Sequence, residues 1–134
     1  MIRTRIIGTG SYLPERVVSN REVGALLGIE PAVVSRLTGI QERRRAAPSQ
    51  ASSDLGAEAA RQALEAAGLP VSELGAILLS TTSPDTVFPS TACHVQRMLG
   101  CSTIPAFDVA ASCSGFLYGL SMADAMIRDR KSVV

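Results

Sequence analysis

One thiol in this chain of 134 residues stands where a nucleophile would be placed. The run that opens Ile104-Pro105-Ala106-Phe107-Asp108-Val109 reads as a short buried strand, and Leu117 to Ile127 is long and apolar enough for a buried helix. Cys113 sits at the join, flanked by the small residues Ala111, Ser112, Ser114 and Gly115, which leave room for a sharp bend and for a substrate carbonyl. This is the logic of a nucleophile elbow, with sulfur in place of a hydroxyl. A thiol at a helix N-terminus feels the positive end of the macrodipole and unpaired backbone N–H groups, and both favour the thiolate. The same N–H groups, that of Cys113 included, can receive the oxyanion of a thioester under attack. A free cysteine is also among the most buried residue types, and a small core cysteine fits the same place. Taken alone, these residues leave both readings open.

The other chemically able residues point to less. His94 is the single histidine and would be the obvious base for Cys113, but it lies on the preceding helical stretch beside Cys93, where nothing brings it within hydrogen-bond reach. A structural or exposed histidine is expected. Cys93, His94 and Cys101 do not make a metal site: the adjacent pair faces different sides of a helix and a fourth ligand is missing. Gly8-Thr9-Gly10 lacks the third glycine of a dinucleotide fingerprint, Leu13 standing in its place, and reads as a close backbone turn. Arg36, Arg43, Arg44 and Arg45 could hold a phosphate such as that of a pantetheine carrier, or form a solvated basic face.

These residues need a frame, and the sequence outlines one. Ile2 to Ile7 reads as a first strand. Asn20 would cap a helix through Leu27, stopped by Gly28, and Pro31 would open another to about Leu37, broken by Thr38-Gly39. Asp54 would cap an alanine-rich helix over Leu55 to Ala67, closed by Gly68 and Pro70. Gly75 to Ser80 is a strand whose successive apolar residues predict burial on both faces and a parallel sheet. A Pro-containing loop from Thr81 to Pro89 leads to Ser90, a cap for a helix to Met98 before Gly100. Ser132-Val133-Val134 opens a further strand, so that the chain ends inside an element. Strands and helices alternate throughout, as in an α/β fold.

Composition narrows the class. The chain has the length of one domain, is 46% hydrophobic and carries a net charge of +1, which suits a soluble globular protein. No apolar run approaches the ~20 residues that span a bilayer, and no apolar stretch follows Arg3 and Arg5 as a signal peptide would require. Three cysteines cannot all pair and match no zinc or disulfide spacing, so reduced thiols and a cytoplasmic location are expected. Residues 1–50 hold eight arginines against four glutamates, whereas 51–134 hold five basic against eight acidic residues, which suggests a polyanionic or acidic partner for the first part. Nucleic acid fits poorly, aromatics being only 4%.

The segment Asp108-Val109-Ala110-Ala111-Ser112-Cys113-Ser114-Gly115-Phe116 resembles the active-site segment of the ketoacyl synthase III family. Three further stretches resemble the same family in the same order: Ile6 to Glu15, Thr38-Gly39-Ile40-Gln41-Glu42-Arg43, and Thr81-Thr82-Ser83-Pro84 running to Phe88-Pro89-Ser90. Ordered motifs over nearly the whole chain favour Cys113 as the nucleophile. The resemblance implies that residues 1–134 are the N-terminal half of a thiolase-like αβαβα layered fold with a mainly parallel sheet, incomplete at its C-terminus, with the Cys113 helix one of a central pair. It implies decarboxylative Claisen condensation of an acyl thioester, on coenzyme A or acyl carrier protein, with malonyl acyl carrier protein through an acyl-Cys113 intermediate. No cofactor is implied beyond the coenzyme A or phosphopantetheine of the substrates, and no metal. It also implies a homodimer in which Phe88 shapes the partner's acyl pocket, although Phe88 also fits the role of an ordinary core residue. The histidine and asparagine that stabilise the enolate in the family have no counterpart in these residues. Val33 and Leu37 stand where coenzyme-A-using relatives place a tryptophan and an arginine against the adenine, which favours a carrier-bound donor or a specialised pathway. The alternatives are a non-condensing acyltransferase of a secondary-metabolite pathway and a truncated, non-catalytic half.

Overall fold

The computed structural model describes residues 4–101 and 103–129, which form two compact units, one of residues 13–50 and the other of residues 4–12 and 51–129. The proposed strand at Ser132-Val133-Val134 and the beginning of the one at Ile2 lie outside the described residues.

The smaller unit is built on an antiparallel pair of strands, β1 (Arg16–Ser19) and β2 (Glu42–Arg45), in which Val17 faces Arg44 and Val18 faces Arg43. Between them run α1 (Asn20–Leu27) and α2 (Pro31–Thr38), each ended by a glycine in the left-handed region, Gly28 and Gly39. Ser19, not Asn20, caps α1, its hydroxyl accepting the Glu22 N–H. Asn20 is instead buried, where its amide donates to Ser35 Oγ at 2.8 Å and to the Ile40 carbonyl at 2.7 Å and accepts from Arg43 at 2.8 Å. A side chain drawn into a hub cannot also cap a helix, which is why serine takes the cap one residue earlier.

The larger unit carries the α/β core. Here β3 (Ile77–Ser80) and β4 (Ala106–Val109) pair in parallel, Ile77 opposite Ala106 and Ser80 opposite Val109. Three helices surround the pair: α3 (Ser52–Ala67), α4 (Thr91–Leu99) and α5 (Gly115–Asp129). Asp54 lies inside α3 and reaches back to the Ala51 N–H at 2.7 Å, the carboxylate half of a capping box. Ser90 caps α4 as its position foretold. Ala57, Ala92, Val95 and Val109 form the buried apolar centre, and Gly56 packs close to Leu79 and Val95.

Residues 4–7 carry no strand, contrary to expectation. Gly8 and Gly10 lie so close to α3 that a Cβ on either would fall 2.3 Å and 2.1 Å from the carbonyl oxygens of Ala63 and Ala59. The segment therefore rests on the helix, and Ile6 and Ile7 line an open apolar pocket of about 410 Å³ together with Ile77 and Leu78. The Gly-x-Gly pair serves that close approach.

Candidate active site

Two loops of the larger unit leave the sheet at the same edge. Since β3 and β4 are parallel neighbours, the segments after Ser80 and after Val109 both emerge at the carboxyl ends of the strands, where open α/β sheets place their ligands. The first carries Phe88 and the second Cys113.

The second is an elbow. The chain leaves β4, passes Ala111 and turns at Ser112, whose φ of 45° lies in the left-handed region that non-glycine residues seldom occupy. Cys113 is the middle residue of the single 3₁₀ turn Ser112–Ser114, and α5 starts at once with Gly115. Cys113 is exposed on this turn. The Ser114 N–H is taken by the Ala111 carbonyl and that of Gly115 by Ser112, whereas the Cys113 N–H makes no hydrogen bond among the described residues. An open amide beside an exposed sulfur can receive a developing oxyanion. Gly115 is required at the next step: a Cβ there would fall 1.9 Å from Ser80 Oγ and 3.3 Å from the Val109 carbonyl. Its absence lets the first turn of α5 rest on the ends of both strands.

The elbow is anchored through Asp108. Its carboxylate accepts the Thr91 and Ala92 N–H groups, each at 2.8 Å, thereby capping α4 from the neighbouring strand. Thr91 Oγ1 in turn accepts the Asp85 N–H at 3.2 Å, and the Asp85 carboxylate takes the Ser53 N–H at 3.0 Å and the Ser53 hydroxyl. Strand β4, the loop after β3 and the first turns of α3 and α4 are thus joined by one polar network. Asp108 and Asp85 were not singled out from sequence, because the groups their carboxylates hold lie 16 to 32 residues away. For Asp108 the local signal is an acidic residue inside a short apolar strand.

Phe88 is 88% exposed. His94 turns to the same loop rather than to the elbow, its Nε2 lying 3.1 Å from Thr86 Oγ1. Cys93 Sγ is held by Ser90 Oγ at 3.2 Å and approaches the Ala106 carbonyl, and Cys101 Sγ approaches that of Gln96. Among the described residues no group of three or more His, Cys, Asp or Glu side chains could hold a metal ion. Arg43 is bound to Asn20, Arg44 donates to the Pro14 and Glu15 carbonyls, and Arg36 and Arg45 are exposed. No described helix is long and apolar enough to cross a membrane.

The family model for 3-oxoacyl-[acyl-carrier-protein] synthase III matches residues 107–133, the elbow with its strand and helix. The β-ketoacyl-[acyl-carrier-protein] synthase III of Alkalilimnicola ehrlichii is 49% identical over 96% of this chain, and that of Escherichia coli K12 is 47% identical over 93%. Over nearly its whole length this chain matches members of the ketoacyl synthase III family. The crystal structure of the 3-oxoacyl-[acyl-carrier-protein] synthase III of Aquifex aeolicus superposes with a TM-score of 0.92 at 41% identity, covering 97% of this chain and 42% of that one. The fold is therefore the α/β, thiolase-like fold of the synthase III enzymes. The chain spans about two-fifths of the length of the curated relatives it matches.

Proposed function

We propose that the protein to which this chain belongs is a condensing acyltransferase that makes β-ketoacyl thioesters. The exposed Cys113 on its elbow carries this reading. Its thiolate attacks the carbonyl of an acyl thioester, the Cys113 N–H helps to hold the oxyanion, and collapse expels the carrier thiolate to leave acyl-Cys113. Malonyl acyl carrier protein then loses carbon dioxide, and the resulting carbanion attacks the acyl carbonyl, releasing the Cys113 thiolate and a β-ketoacyl carrier.

Residues 1–134 are one half of the thiolase-like pair, and the enolate donors, a histidine and an asparagine, come from the remainder of the relatives' length. The apolar side chains of α5 support this, for Phe116, Leu117 and Tyr118 are all more than half exposed and suit a companion helix. Phe88 lines the acyl pocket of a second subunit in a homodimer, a reading supported by its exposure beside that of Val87. The partner is acyl carrier protein, the reaction needs no metal or cofactor beyond its thioester substrates, and the setting is cytoplasmic. With Val33 and Leu37 in place of an aromatic and a cation, a carrier-bound acyl donor is favoured over coenzyme A.

Intact-mass spectrometry of the full-length protein with an acyl thioester tests this. An acyl adduct is expected on the wild type and none on Cys113→Ala, followed by carbon dioxide release once malonyl acyl carrier protein is added. Acylation without carbon dioxide would leave a transferase only, and no adduct on a folded protein would overturn the reading.

A further inference from the structure

The loop between β3 and α4 presents its tip and fastens its flanks. Val87 and Phe88 are the most exposed large apolar side chains of the described residues, at 101% and 88%. On one side of them Asp85 is tied through its N–H to Thr91 and through its carboxylate to Ser53. Thr86 is tied twice: its Oγ1 donates to the Pro89 carbonyl at 2.8 Å and lies 3.1 Å from His94 Nε2.

Proton bookkeeping gives this pair a direction. A threonine hydroxyl has one hydrogen. It is spent on Pro89, on the far side of Phe88, so toward His94 the oxygen must accept and Nε2 must carry a hydrogen. The relay runs from His94 through Thr86 to the Pro89 carbonyl, and it spans the exposed tip from both ends. The imidazole belongs to α4, whose first turn is itself held by Asp108, so the loop is referred back to the strand that carries Cys113.

We propose that His94 is a positioning residue for Phe88: with Thr86 it fixes the pose of the phenylalanine and thereby the acyl chains that the pocket accepts. This rests on the reading of Phe88 as an acyl-pocket wall.

The test uses the full-length protein with Thr86→Val, His94→Leu, His94→Gln and Thr86→Ser, comparing kcat/KM for a short straight acyl thioester with that for a longer one. Thr86→Val and His94→Leu are each expected to shift the ratio roughly five- to tenfold, the worth of one hydrogen bond, mainly through KM. The double variant should shift it no further than either single one, as members of one relay do. Thr86→Ser and His94→Gln, which keep a hydroxyl and an Nε2 donor, should restore it and also show that the variants fold. In ring-nitrogen NMR, His94 should show a protonated Nε2 whose resonance moves in Thr86→Val. Unchanged selectivity in variants of an acylating wild type, or an Nδ1–H tautomer, would overturn the inference alone. Failure of the wild type to form any acyl adduct would overturn the pocket reading and the inference with it.

Discussion

Ser112 is one of two described non-glycine residues, with Thr103, whose backbone enters the left-handed region, and it does so immediately before the thiol. A φ of 45° brings the serine Cβ toward the following carbonyl oxygen, a clash worth about 1–2 kcal/mol for an ordinary L-residue. A short polar side chain tolerates it better than a branched one. Ser112→Val is therefore expected to destabilise the full-length protein by about 1–2 kcal/mol and to depress acylation of Cys113, whereas Ser112→Gly should leave stability within about 1 kcal/mol of wild type. Urea melts read beside the acylation rate would check both. A valine variant as stable and as fast as wild type would mean that the turn is not under strain. The elbow was legible in the residue types around Cys113, because small side chains between an apolar strand and an apolar helix admit few other conformations. That Ser112 bears the strain was not, since glycine, the residue that usually marks such a position, stands three places further on at 115.

Among the elements, the contact between α5 and the strand ends depends on the missing side chain at Gly115. Ser80 can swing its hydroxyl aside, but its Cβ at 3.1 Å and the Val109 carbonyl at 3.3 Å stay in the way of any added methyl group. Gly115→Ala should cost roughly 1–3 kcal/mol by overpacking, with part of it returned by Ser80→Ala, and differential scanning calorimetry of the two single variants and the double one would show the coupling. Full additivity would place the strain elsewhere. The helices were largely readable before their packing was known, since serine, proline and glycine mark where α1, α2 and α4 begin or end. The pairing of β1 with β2 was not. Glu42-Arg43-Arg44-Arg45 has no apolar alternation, and it becomes a strand because Arg43 and Arg44 find partners at Asn20, Pro14 and Glu15, 23 to 30 residues away. The first strand failed in the opposite sense, for Ile6 and Ile7 have the right composition but Gly8 and Gly10 commit the segment to α3.

At the scale of the molecule, the larger unit is joined at its centre by hydroxyls and carboxylates. Its largest wholly enclosed side chains are those of Thr91 and Ser53. Truncating one partner of such a network leaves another buried group unsatisfied, so Asp108→Ala should lower stability by about 2 kcal/mol or more, measurable by chemical denaturation, while a loss under ~0.5 kcal/mol would show the contacts to be incidental. The same carboxylates change the character of two helix ends. First-turn amides have no partner within their own helix and ordinarily fray. Those of Ser53, Thr91 and Ala92 are held by acceptors on other elements. They should consequently exchange their hydrogens with heavy water as slowly as mid-helix amides, making the starts of α3 and α4 the late-melting ends of those helices.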